Sequence, residues 1–157
     1  MKTEELSVCL VQALKSAGKT VATAESCTGG GIGHALTAVP GSSAVYAGGV
    51  ISYTNAIKER VLNVPSETLE KCGAVSSETA GHMAKGVQKL MMSDFGVSVT
   101  GIAGPDGDGS GKPVGLVYIG IASFDGVETY EFIFHGDRSA VREQAVRSAL
   151  ELILSKL

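Results

Sequence analysis

The run Thr23-Ala24-Glu25-Ser26-Cys27-Thr28-Gly29-Gly30 gathers the parts of an acyl-transfer site into eight residues. Ser26 follows a β-prone stretch and is a candidate nucleophile, although the ordinary use of serine at such a place is to cap a helix. Gly29, Gly30 and Gly31 carry no side chain, so backbone N–H groups from Thr28 to Gly30 can converge on a developing oxyanion. A helix opening there would add its N-terminal dipole. Cys27 is the rival nucleophile, but strand-like alternation points it away from Ser26's side.

A serine nucleophile needs a base. His34, His82 and His135 are widely spaced and form no i, i+3 or i+4 pair, so structural or exposed roles are expected for them and no metal site. Lysine becomes the candidate. Tyr53 ends a predicted strand and Lys58 lies in the first turn of the next helix, so both can project over the sheet edge that carries Ser26. A lone helical lysine is ordinarily a solvated charge. A desolvated one has its pKa lowered to ~7–8, low enough to take a serine proton. Tyr53 serves either core packing or proton relay. Arg138 follows the predicted cap Asp137, where a cation opposes the helix dipole. It is either an exposed arginine or, with the helix N-terminus, an anion site suited to phosphate.

These side chains need elements to hold them. Leu6, Cys9, Leu10, Ala13 and Leu14 recur at helical spacing, and Gly18 stops that helix. Residues 20–24 form a short strand, and an Ala/Leu-containing helix follows the glycines. Residues 45–53 are the next strand, whose paired glycines signal a bulge or a close neighbour. Short helices are predicted over 55–62 and 66–72. Ser76 caps a longer helix with Ala80, Met83, Ala84, Val87, Leu90 and Met91 on its apolar face. Residues 97–103 form a buried strand, then a polar glycine loop runs from 104 to 113. Strands over 115–123 and 127–134 flank Asp125-Gly126 as a hairpin. The last helix buries Val141, Ala145, Ala149, Leu152 and Ile153. This order predicts a three-layer α/β/α sandwich whose mixed sheet is mostly parallel with one antiparallel strand, the β-hairpin falling in the C-terminal half.

Size and composition fit one domain over residues 1–157. With 44% hydrophobic and 18% charged residues, disorder is excluded, and without Trp the core is built from aliphatic side chains. A net charge of −3 gives no general attraction to nucleic acid or to an anionic membrane. No apolar run approaches the ~20 residues of a membrane span, and the acidic N-terminus does not read as a signal peptide. Three scattered cysteines suit a reducing compartment, so a soluble cytoplasmic protein is expected. A homo-oligomer is expected as well. Two nucleotide motifs fail: Gly31-Ile32-Gly33 lacks the third glycine of a dinucleotide fingerprint, and Gly111-Lys112 is followed by Pro113 where a P-loop needs Ser or Thr.

Seven ordered segments now carry a resemblance: TAESCTGG, PGSS (40–43), YTNAIK (53–58), GAVSSE (73–78), SVTGIAGPDG (98–107), KPVG (112–115) and GDR (136–138). Together they resemble the C-terminal domain of CinA, the competence/damage-inducible protein, a family that includes nicotinamide-nucleotide amidohydrolases. The resemblance implies an α/β/α sandwich and conversion of nicotinamide mononucleotide to nicotinic acid mononucleotide and ammonia, in pyridine nucleotide salvage. It implies Ser26 as nucleophile, Lys58 as its base, and functional roles for Tyr53 and Arg138, with no cofactor or metal. Thr28, Gly29 and Gly30 would hold the oxyanion, Thr100 and Gly101 would line the pocket, and Arg138 would take the 5′-phosphate. Glu25 either faces the cationic ring or caps. CinA proper carries an additional N-terminal domain absent here, so the chain looks like a stand-alone form. The alternative is a nucleotide-binding or regulatory module without turnover.

Overall fold

A computed structural model describes residues 1–157. The strands are β1 (Val21–Glu25), β2 (Tyr46–Ile51), β3 (Phe95–Gly101), β4 (Leu116–Ser123) and β5 (Gly126–Ile133). They lie side by side in the order β2-β1-β3-β4-β5. β1 is parallel to β2 and β3, while β4 is antiparallel to β3 and β5, so β4 alone runs against the others. The mostly parallel sheet with one reversed strand is the one expected from the order of elements.

The helices are α1 (Thr3–Ala17), α2 (Gly31–Thr37), α3 (Asn55–Leu62), α4 (Ser66–Cys72), α5 (Ser77–Met91) and α6 (Arg138–Leu154). α1, α2 and α6 pack together on one face; α5 covers the other, with α3 and α4 against it. The larger core, including Leu10, Leu14, Ile32, Val97, Ile119 and Leu150, fills the first interface. Ala22, Ala24, Leu62, Met83 and Val87 fill the second. Small residues let α5 close on the sheet. A Cβ at Gly120 would lie 2.5 Å from the Ala80 carbonyl oxygen, and the Ser98 hydroxyl donates to that same oxygen at 2.6 Å.

β1 is buried at every residue and central in this edge of the sheet. The chain leaves it toward β2 on one side, whereas β3 lies on the other. The crevice between the C-terminal ends of β1 and β3 is therefore a topological switch point, the usual ligand position in open α/β sheets.

Several boundaries differ from expectation for physical reasons. β2 ends at Ile51 because Ser52 and Tyr53 turn their carbonyls toward Lys58. Both glycine readings hold in β2: the register slips opposite Val21/Ala22, and a Cβ at Gly49 would come within 2.7 Å of the Tyr46 hydroxyl. The hairpin loop is Phe124–Asp125, since Ser123 pairs with Gly126, which opens β5 at φ +125°. Leu90 is exposed, whereas its neighbour Met91 packs against the second core. Gly18, Ser76 and Asp137 terminate or cap their helices as read, the two side chains accepting from the N–H groups of Thr79 and Ala140.

Candidate active site

β1 delivers Glu25 and then Ser26 to the switch point, where the Ser26 N–H donates to the Val99 carbonyl at 2.9 Å. The turn after it is fixed from inside. Glu25 is 2% exposed and its carboxylate accepts from the Thr28 hydroxyl (2.7 Å) and from the N–H groups of Ile32 (2.8 Å) and Gly33 (3.0 Å). Glu25 is thus the anionic cap of α2, and its oxygens are spent away from any ligand. Of the two readings of Glu25 the structure shows the capping one, and the expectation that the open dipole end of α2 serves the oxyanion is corrected, because a carboxylate already occupies it. The Gly29 and Gly31 N–H groups close the turn onto the Ser26 and Thr28 carbonyls. The N–H groups of Cys27, Thr28 and Gly30 have no internal acceptor, which leaves these three as the free oxyanion donors of the segment, and of the three residues Cys27 lines the cavity.

Lys58 reaches Ser26 for a local reason. Thr54 caps α3, and Lys58 stands one turn in, where a helical side chain folds back toward the N-terminus. Its ammonium nitrogen contacts the Ser26 hydroxyl at 3.0 Å, the Ser52 carbonyl at 2.7 Å and the Tyr53 carbonyl at 3.4 Å. Only 1% of Lys58 is exposed. Burial lowers its pKa from 10.5 to about 8, with no carboxylate beside it to restore the charge. A neutral amine has two N–H groups and one lone pair. The two carbonyls take the N–H groups, and the lone pair is left for the Ser26 hydroxyl.

Cys27 is buried, and burial pushes its thiol up to about 11, so the thiolate that a cysteine nucleophile needs is disfavoured. Tyr53 is well exposed, and its phenol oxygen accepts from Arg138 Nη2 at 3.3 Å; only its backbone carbonyl reaches Lys58. The structure thus brings Tyr53 to the cleft without joining its phenol to the Ser26–Lys58 pair. Arg138 also donates to the Gly104 carbonyl at 2.8 Å, bridging the start of α6 and the loop after β3.

Ser26, Lys58, Tyr53, Thr100, Gly101 and Arg138 line one cavity of about 240 Å³, joined by Cys27, Ala74, Val75, Ala103 and Asp108. Thr100 donates to the Ala74 carbonyl at 2.8 Å. Gly101 is required for pairing, since a Cβ there would lie 2.8 Å from the Leu116 carbonyl oxygen. Lys112 clamps the glycine loop to the α4–α5 link through the carbonyls of Cys72 (2.8 Å) and Val75 (2.5 Å). Thr28, Gly29 and Gly30 lie beside this cavity rather than on its wall.

Two charged groups escaped the sequence reading. Asp108 lies on the cavity wall, and hydrogen bonds from Ser110 hold its carboxyl below the usual range. Arg142 donates to the carbonyls of Cys27 (3.0 Å) and Thr28 (3.3 Å) from behind the turn. Its four-residue offset from Arg138, one helical turn, was the available signal.

The fold and these contacts define a mixed-sheet α/β domain with a buried serine–lysine pair at the sheet's switch point. Residues 3–157 match the CinA C-terminal domain, and the chain belongs to that family. A CinA-like protein of Parasynechococcus marenigrum is 46% identical over 157 residues, covering 98% of this chain and 37% of the relative. The chain spans about a third of the length of such curated relatives. Among solved structures, a CinA superfamily protein of Klebsiella pneumoniae superposes with TM-score 0.97 at 36% identity, covering 99% of this chain and 98% of that one. The competence/damage inducible protein CihA of Agrobacterium tumefaciens gives TM-score 0.94 at 43% identity, covering 98% and 94%. No helix is long and apolar enough to cross a membrane.

Proposed function

We propose that this domain hydrolyses the carboxamide of nicotinamide mononucleotide, giving nicotinic acid mononucleotide and ammonia through an acyl-enzyme on Ser26. The observation that carries the reading is the 3.0 Å contact between the Ser26 hydroxyl and a Lys58 amine withdrawn from water. Neutral Lys58 takes the hydroxyl proton as the Ser26 oxygen attacks the amide carbon. Free N–H groups of the turn after Ser26, first that of Cys27 on the cavity wall and then that of Thr28, meet the resulting oxyanion. The Lys58 ammonium then protonates the departing nitrogen, and ammonia leaves. Water, deprotonated by the same lysine, cleaves the ester and restores Ser26.

The shape of the site supports a ring-bearing nucleotide. A cavity of about 240 Å³ is smaller than the ~300–1,000 Å³ usual for whole ligands, so it suits the amide-bearing ring with the phosphate left at the rim. Arg138 stands at that rim, where its guanidinium suits a phosphate. Asp108 supplies negative charge opposite a cationic pyridinium. Incubating the purified chain with nicotinamide mononucleotide should release ammonia, and Ser26→Ala should abolish release while leaving the melting temperature within a few degrees. A chain that binds the nucleotide but releases nothing is a binding module instead. Unchanged release from Ser26→Ala removes the nucleophile assignment.

A further inference from the structure

The Arg142 side chain makes no contact with the cavity, yet it holds two successive carbonyls of the turn that follows the nucleophile. We infer that Arg142 is a positioning residue that fixes the turn whose free N–H groups, those of Cys27 and Thr28, meet the oxyanion, an assignment that rests on the acyl-transfer reading above. The argument begins with the peptide plane. In a trans peptide the C=O of one residue and the N–H of the next point in opposite directions. Arg142 Nε donates to the Cys27 carbonyl at 3.0 Å, so the Thr28 N–H in the same plane is directed away from α6. Arg142 Nη2 donates to the Thr28 carbonyl at 3.3 Å, which fixes the next plane, whose Gly29 N–H is already committed to the Ser26 carbonyl at 3.0 Å.

The Thr28 N–H is left between two fixed planes with no internal acceptor. A guanidinium on a carbonyl also draws electron density from its peptide, making the attached N–H a stronger donor. The fork geometry matters: only arginine spans two carbonyls with separate nitrogens. Gly29 suits the turn through its φ of +59°, a left-handed conformation, while a Cβ there would make only ordinary contact with Arg142 Nη2 at 3.4 Å. Glu25 holds the Thr28 side chain from the other side at 2.7 Å, so the residue is gripped at both its hydroxyl and its carbonyl.

The test compares Arg142→Gln, Arg142→Ala and Arg142→Lys with the wild type, using ammonia release from nicotinamide mononucleotide and the backbone amide NMR spectrum. A donor moved by a fraction of an ångström acts on the transition state and not on ground-state binding. Arg142→Gln and Arg142→Ala should therefore lower kcat about 10- to 100-fold with KM within about 2-fold. Arg142→Lys, reaching one carbonyl, should recover part of the loss. The Thr28 and Gly29 amide resonances should shift in Arg142→Gln while the remaining spectrum stays dispersed. Unchanged kcat, or a loss confined to KM, overturns the assignment, as do Thr28 and Gly29 resonances that stay in place. If Arg142→Ala fails to fold, Arg142→Lys carries the kinetic comparison. If the wild type releases no ammonia, the substrate reading falls, and the amide shifts alone decide whether Arg142 sets the turn.

Discussion

At pH 7 a lysine whose pKa lies at about 8 is neutral in only about 9% of molecules, and at pH 9 in about 91%. If neutral Lys58 deprotonates Ser26, kcat/KM should rise about 10-fold between those pH values and level off above 9. An unperturbed lysine at 10.5 would give a rise of about 100-fold over the same interval and still be climbing. Stability follows with a fixed sign. Unfolding returns Lys58 to water, where it takes up a proton at any pH between about 8 and 10.5, so the folded state gains stability as pH rises through that window. Below about 8 the full cost is present, roughly 3 kcal/mol for a lowering of this size. Lys58→Met removes the titration while keeping the stem. Urea unfolding of both proteins at pH 7 and pH 10 should show wild type gaining roughly 2–3 kcal/mol relative to Lys58→Met. Lys58→Arg, which cannot lose its proton, should be inactive at every pH. A rate profile with no inflection near 8, or equal stability slopes in wild type and Lys58→Met, would refute the buried-base argument.

The thiol of Cys27, pushed up to about 11, should resist iodoacetamide at pH 7.5 in the native state, as read by mass spectrometry. Cys27→Ala should retain kcat and lose about 1 kcal/mol of stability; loss of turnover comparable to Ser26→Ala would reverse the choice of nucleophile. Glu25→Ala strands the Thr28 hydroxyl and two N–H groups of α2 in a buried place, so urea denaturation should show a loss of about 3–5 kcal/mol. A change below about 0.5 kcal/mol would mean that the carboxylate does not cap the helix.

Periodicity and end signals made most elements legible. The bounds 55–62 and 66–72 agree with α3 and α4, because both helices are short and sharply terminated. Strand order was not legible, since apolar spacing shows that a strand is buried but not which strands flank it. Ser26 and Lys58 could be named from residue type and from the strand ends they follow. Their 3.0 Å contact depends on the fold-back of a helical side chain over its own first turn. Glu25 is the opposite case: an acidic residue in a fully buried strand contradicts its own polarity, and only its three donors explain it. Arg142 was hidden because an arginine in a helix reads as solvated until the turn it supports is in view.

The reversed direction of β4 has a consequence in the parity of chain crossings. After β3 the chain traverses the sheet once in β4 and once back in β5, an even number, so α6 begins at the same rim as Ser26. A single traverse would have started α6 at the far rim, putting Arg138 and Arg142 a full strand length from the serine. The hairpin tip lies at the far rim, where Phe124 is 98% exposed and stands away from the site. Length added between Phe124 and Asp125 lengthens the excursion without changing where it returns, at a loop-closure cost that grows only slowly with added residues.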